Sequence, residues 1–259
     1  MITFHWIEGI CFLLGLCMGS FMNVCIHRIP LKKSIIYPGS KCPACGYGIR
    51  FWENIPLLSY IFLKGRCRSC GSRISVRYPL VEFIGGLSTV SLLRVYGFSA
   101  EWMIYSFLTF ALVVVAFIDI DHRIIPDRIT LPGILLGASF SFFLPGLTFL
   151  DSFIGLLLGG GILLGIGLVY YAVAKKEGMG GGDVKLLSMI GAFTGWKGVL
   201  FSLVIASFLG SIIGLAVMVK SREGLKTAVP FGPFLALGGI AFIHFGDHII
   251  AWYFHLAAG

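Results

Sequence analysis

The chain of 259 residues is 57% hydrophobic and 12% charged, with a mean hydropathy of +0.93. Soluble domains carry roughly twice that charged fraction, so an ordinary soluble domain is excluded. The formal charge of +8 does not signal a nucleic-acid partner, because the charges fall in short stretches between apolar runs. What remains is an all-α, polytopic membrane protein, with membrane lipid as its solvent.

In chain order, apolar runs are expected to cross at 7–27, 78–97, 102–118, 129–146, 152–174, 184–196, 198–219 and 230–254, since each crossing takes about 20 apolar residues. About eight spans follow. Seven or nine stay open, because 184–196 is barely long enough to cross alone. The first run has no basic residue before it and no small-residue cleavage pattern, so it reads as a retained span. An even number of spans puts both termini on one face. Eighteen of the twenty Lys and Arg residues lie on the other face, all but Arg94 and Lys197, and that asymmetry makes the basic face cytoplasmic. Three regions result: a first span (1–27), a cytoplasmic zinc-binding loop (28–77) and a membrane-embedded core (78–259). Gly155, Gly159, Gly160, Gly161, Gly165 and Gly167 mark a helix face suited to close packing.

The cytoplasmic loop holds Cys42-Pro43-Ala44-Cys45-Gly46 and Cys67-Arg68-Ser69-Cys70-Gly71, with 21 residues between Cys45 and Cys67. Each CxxC-Gly turn points two thiolates inward, and two such turns complete the four-sulfur shell that zinc accepts. A redox dithiol would leave the second pair unexplained. A closed four-sulfur shell has no open coordination position, which assigns it to folding the loop.

The third run ends Ile118-Asp119-Ile120-Asp121-His122-Arg123-Ile124-Ile125-Pro126-Asp127, and the fifth leads into Gly180-Gly181-Gly182-Asp183-Val184-Lys185. The topology sets Asp119 and Asp183 at one depth, although they lie 64 residues apart in sequence. An ionisable group at membrane depth is costly and usually functional. Two carboxylates in one apolar site titrate apart, so that one activates water while the other protonates a carbonyl oxygen. Gly180, Gly181 and Gly182 leave room for a substrate strand beside Asp183. Asp121 and His122 read equally as supports of the acids or as interfacial charge. Simpler roles compete elsewhere: helix N-caps at Asp127 and Asp183, a helix-dipole contact at Glu82 and interhelical hydrogen bonding at Asn23. The glycine run lacks the Gly-Lys-Ser/Thr ending of a phosphate loop.

Gly19-Ser20-Phe21-Met22-Asn23-Val24 with His27-Arg28-Ile29-Pro30, the CxxC pairs, Glu53-Asn54-Ile55-Pro56, Arg77-Tyr78-Pro79-Leu80-Val81-Glu82, the two aspartate segments and Pro230-Phe231-Gly232-Pro233 together resemble the type IV prepilin peptidases. That resemblance covers nearly the whole chain. It implies an aspartic endopeptidase of the bacterial inner membrane, with Asp119 and Asp183 catalytic, Gly180 to Asp183 as the family's GxGD element, and Gly180, Gly181, Gly182, Asp121, His122 and Lys185 positioning substrate or supporting the acids. It further implies a site facing the cytoplasm, a prepilin or pseudopilin substrate cut after a glycine, and N-methylation of the new terminus with S-adenosylmethionine. No dinucleotide-type GxGxxG follows a strand, so no motif shows where that cofactor binds; the zinc loop, the only sizeable cytoplasmic segment, is its expected home. An ion or proton transporter with a zinc-ribbon loop is the competing reading, although its carboxylates belong near mid-bilayer.

Overall fold

The computed structural model describes residues 2–176, 180–221 and 229–258. Glu177, Gly178, Arg222 and Lys226, which the sequence places in turns, lie outside the described residues. The described residues are helical with no named strands: α1 (Ile2–Arg28), a short α2 (Leu58–Phe62), α3 (Arg77–Tyr96), α4 (Ala100–His122), α5 (Asp127–Phe140), α6 (Phe149–Ala174), α7 (Gly181–Ser221) and α8 (Gly232–Ala258). Among these residues, four helical stretches are long and apolar enough to cross a membrane, namely His5–Arg28, Ala100–His122, Phe149–Ala174 and Gly181–Val219, and Gly232–Gly246 is a shorter apolar one. Large apolar side chains such as Leu13, Phe107, Leu157 and Val204 are exposed on these helices. A surface of that kind suits lipid rather than water. The chain is a multi-pass helical membrane protein.

The chain divides into two compact units, Met1–Phe110 and Ala111–Gly259. In the first, α1 and α3 run antiparallel in backbone contact. Asn23 donates to the carbonyl of Tyr78 at 3.0 Å near one end, and Glu8 pairs with Arg94 at 2.7 Å near the other. Between them a Cβ on Gly19 would come within 2.5 Å of the Glu82 Cα, so no larger residue fits at this crossing. The loop between α1 and α3 carries the cysteines.

In the second unit the central element is the start of α7, where Leu186, Leu187, Met189, Ile190 and Phe193 are all fully buried. Gly155 and Gly159 of α6 lie against the backbone at Gly191 and Leu187, and Ser152 donates to the carbonyl of Ala192 at 2.6 Å. Gly161, Gly165 and Gly167 meet nothing. The close-packing face therefore covers only the first part of the glycine stripe. On another side of α7, Gly133 and Gly137 of α5 face Met189 and Phe193.

At Gly195 the helix is broken by φ 69° and ψ −174°, a conformation that glycine adopts without strain. The chain reverses there. Gly198 faces Phe242, Gly238 faces Ser202, and Gly210 faces Phe234, so the second arm of α7 runs antiparallel to α8. The first arm follows α8 in the same direction, with Ile190 against Gly239. Two separate apolar runs, 184–196 and 198–219, are thus the two arms of one hairpin.

Candidate functional site

Asp119 sits in the last turn of α4. That helix ends where Arg123 takes a left-handed φ of 55° and returns its N–H to the Asp119 carbonyl at 2.9 Å. The side chain is 6% exposed and its Oδ2 accepts the backbone N–H of Gly232 at 3.1 Å. Gly232 opens α8, where backbone N–H groups lack helical partners and the dipole's positive end lies. A Cβ at position 232 would come within 2.6 Å of that carboxylate oxygen. Glycine is what lets the α8 N–H reach the acid.

Asp183 lies in the first turn of α7 rather than at its cap, since the helix begins at Gly181 and the Asp183 N–H bonds the Gly180 carbonyl at 3.1 Å. It is half-buried, close enough to Asp119 for the two charges to act on each other. Ile125 sits between the two elements: a Cβ on Gly182 would meet its Cβ at 2.8 Å, and one on Gly232 its Cδ1 at 3.0 Å. Gly180 and Gly181 are exposed; a Cβ on Gly181 would meet nothing, and one on Gly180 would touch the Asp183 Oδ2 at 3.5 Å.

Asp121 and His122, two and three residues beyond the buried acid, are exposed. Asp127 is not an N-cap. Pro126 holds that position with no side-chain cap, and the Asp127 carboxylate accepts from Lys185 Nζ at 2.6 Å. This ion pair ties the entry of α5 to the start of α7, two residues past Asp183. Lys185 was marked by its motif, but its partner lies 58 residues away and leaves no local signature. The Gly232 N–H was missed altogether. Only the Pro-Phe-Gly-Pro segment hinted at it, because a glycine between prolines at a helix start marks a backbone that something approaches.

The first unit brings Cys42, Cys45, Cys67 and Cys70 together, with all four Sγ atoms within 4.8 Å of one another. The two turns repeat one geometry: Cys42 N–H to Tyr47 O and Cys67 N–H to Ser72 O at 2.8 Å, then Gly46 N–H to Cys42 O and Gly71 N–H to Cys67 O at 2.9 Å. Gly46 and Gly71 supply the positive φ, 73° and 71°. Zinc–sulfur bonds of about 2.3 Å in a tetrahedron separate sulfurs by about 3.8 Å, and Cys42 and Cys70 Sγ are 3.9 Å apart. The donor set fits zinc. Backbone N–H groups of Cys45 and Ala44, aided by the Ser72 hydroxyl, pull the Cys42 thiol down to about 6, and Ser72 also lowers Cys70, whereas Cys45, despite its backbone hydrogen bond, is pushed up to about 11 by burial and the other three cysteines. The first two effects favour the thiolate a metal needs, and the third shows the thiols competing for one charge in the absence of a cation. Beside the cysteines lies a cavity of about 450 Å³, lined by loop residues and by the adjoining ends of α1 and α3. Glu82 lies past the first turn of α3 and is buried, where it accepts the Leu57 N–H at 2.8 Å. It makes no helix-dipole contact of the expected kind.

Fold and site together define a helical membrane protein with a pair of acids, one buried and one half-buried, at the meeting of three helix ends, and a separate four-thiol cluster. Residues 13–96 match the family model described as the bacterial peptidase A24 N-terminal domain, and residues 106–215 match that of the type IV leader peptidase family. Among curated relatives, prepilin leader peptidase/N-methyltransferase of Pseudomonas putida is 37% identical over 260 residues, covering 92% of this chain and 90% of that protein. The protein of the same name from Myxococcus xanthus is 43% identical over 217 residues, 83% of this chain and 65% of its own length. That from Pseudomonas aeruginosa is 35% identical over 268 residues, 95% of this chain and 92% of the relative. The chain belongs to the type IV leader peptidase family. No solved structure matches it significantly. Nothing in these relatives supports the transporter alternative.

Proposed function

We propose that this enzyme removes the short leader of type IV prepilins or pseudopilins after a glycine and N-methylates the new terminus, with Asp119 and Asp183 as a water-activating pair. The observation that carries the peptidase reading is the convergence of two acids, 64 residues apart, a buried one at the end of α4 and a half-buried one at the start of α7. One carboxylate takes a proton from water while the other, protonated, gives one to the scissile carbonyl oxygen. Gly232 holds Asp119 in orientation, and the packed first arm of α7 holds Asp183. The exposed, side-chain-free backbone at 180 and 181 leaves the acid accessible to an extended peptide. Asp121, His122 and Lys185 support the site from its exposed side.

Cys42, Cys45, Cys67 and Cys70 would hold zinc as a structural ion, folding the loop between α1 and α3. The basic distribution puts this loop and the acids on the cytoplasmic side of the inner membrane, where a prepilin's basic leader stays. S-adenosylmethionine supplies the methyl group of the second activity.

The test is to incubate the purified protein in detergent micelles with a prepilin, with and without S-adenosylmethionine, and weigh the products. Leader loss in both samples and one added methyl only with the cofactor is the expected result. An uncut substrate, with the protein monodisperse and zinc bound, overturns the reading. S-adenosylhomocysteine is expected to suppress methylation and spare cleavage.

A further inference from the structure

In the loop between α1 and α3, α2 is little more than one helical turn, and its two faces are unlike. Ser59 donates to the Trp52 carbonyl at 3.2 Å and Tyr60 to that of Ile74 at 3.4 Å, so these side chains point into the loop. Leu58, Ile61 and Phe62, at the helical spacing i, i+3 and i+4, are 51%, 67% and 81% exposed in the full chain. Three apolar groups on one turn are too few for a stable protein interface, which takes about 800 Å² from each partner. Left in water, they forgo the free energy of burial.

The way α2 is moored points to what covers them. Leu57, just before the helix, takes a left-handed φ of 59°, a strained conformation for a bulky residue. The buried Glu82 carboxylate holds it there, accepting the Leu57 N–H at 2.8 Å. Glu82 lies five residues past the start of α3, about 7 Å along the helix axis. The chain at Leu57 therefore folds back beside the first turns of α3 instead of standing clear of them. Arg77 lies over the Tyr78 ring at 5.9 Å, a pairing suited to the headgroup level where the expected span begins. Below it, Leu80 and Phe83 of α3 are exposed and continue the apolar surface of α2. Interfacial helices sink by a similar depth, about 5–10 Å.

Charge completes the match. After α2 the chain turns through Lys64 and Gly65, at φ 51° and 65°, and leaves Lys64 and Arg66 exposed at its end. Residues 28–77 carry ten Lys and Arg residues against one acid, Glu53, which pairs with Arg68 at 3.1 Å. An apolar face bordered by cations complements a phospholipid, with its acyl chains below and its phosphate above.

We infer that α2 is an interfacial foot: Leu58, Ile61 and Phe62 enter the boundary between headgroups and acyl chains of the chain's own membrane, and Lys64 and Arg66 meet lipid phosphates. The foot fixes the cysteine loop against the bilayer surface. This rests on the membrane character of the chain and not on the chemistry of the acids.

The test uses the full chain in nanodiscs of phosphatidylethanolamine and phosphatidylglycerol, with the photo-crosslinking residue benzoylphenylalanine placed at Phe62 and, separately, at Ile61. Both positions are exposed, so the probe fits without repacking a core. After irradiation, intact mass is expected to show phospholipid adducts at both. A dimer adduct would assign the face to a second copy, an adduct with added prepilin would assign it to substrate, and no adduct would leave it in water; each overturns the inference. Hydrogen exchange supplies a measurement without the probe. A helix of five residues is marginal in water. Expelling it with Ile61→Asp and Phe62→Asp together should therefore speed exchange over 57–64 by about tenfold or more, the scale of one buried apolar side chain, while 42–46 keeps the parent's rate. Unchanged exchange over 57–64 in that variant overturns the inference as well.

Discussion

The cysteine cluster and the acid pair reach their geometry by opposite routes. Each cysteine turn is closed by hydrogen bonds spanning at most five residues, and the cluster is one local design used twice. The acid pair draws on the end of α4 and the starts of α7 and α8, and its backbone donor comes from 113 residues away. Local chemistry fixes the first, so one missing thiol is enough to undo it. Packing of long helices fixes the second, so it tolerates change at its rim while depending on side-chain-free positions where helices meet.

The comparison is sharpened most by the acids themselves. Asp119→Asn and Asp183→Asn preserve size but cannot take a proton from water, so each is expected to lower the initial cleavage rate by about 10²- to 10⁴-fold. Methylation of a precleaved substrate should persist and serves as the folding control. Near-normal cleavage by either variant, with methylation retained, would move suspicion to Asp121 with His122. Next comes Cys42→Ser, for which metal analysis should show zinc lost and limited proteolysis should cut within 28–77, since structural zinc contributes several kcal/mol or more to folding. Full zinc occupancy in that variant breaks the comparison on its local side.

Gly232→Ala is expected to cost about a hundredfold in cleavage, because displacing a reacting group by about 1 Å has that scale, while leaving the zinc content untouched. An unaffected rate would mean that the Gly232 N–H does not position Asp119. The smallest effect is at the rim. Lys185→Met removes a partly exposed ion pair with Asp127, and such pairs contribute about 0.2–1 kcal/mol, so cleavage should fall by no more than a few-fold and the parent's advantage should shrink in high salt. A large loss in Lys185→Met would give that lysine a direct part in the reaction.

The same contrast explains what was legible in the sequence. The cysteine spacing carries its geometry in a dozen residues, and the apolar runs give the helices because membrane burial demands length. Asp119 stood out because a carboxylate inside an apolar run has to be accounted for. The partners were hidden. A backbone N–H has no side chain to announce it, so Gly232 appeared only as part of a proline-flanked segment. Asp127 looked like a cap because a Pro-Asp pair before a helix is a strong local signal, and the tertiary pairing with Lys185 leaves no such signal. Glu82 looked like a dipole contact for the same reason, since the N–H that it accepts belongs to a loop residue 25 positions upstream.

The break at Gly195 bears on water as well as on the chain. The arm from Gly181 to Thr194 has 14 residues, about 21 Å of helix at 1.5 Å per residue, against a hydrocarbon core of about 30 Å. Residues 186–195 are buried among neighbouring helices, so the shortfall in length lies inside the protein rather than against lipid. Backbone that stops short of the membrane surface is tolerated where protein or a water-lined cavity surrounds it, and water admitted beside Asp183 is what the proposed hydrolysis requires. In proteoliposomes the cleavage rate should therefore be indifferent to acyl-chain length, and a rate that follows chain length would show that the bilayer reaches this arm.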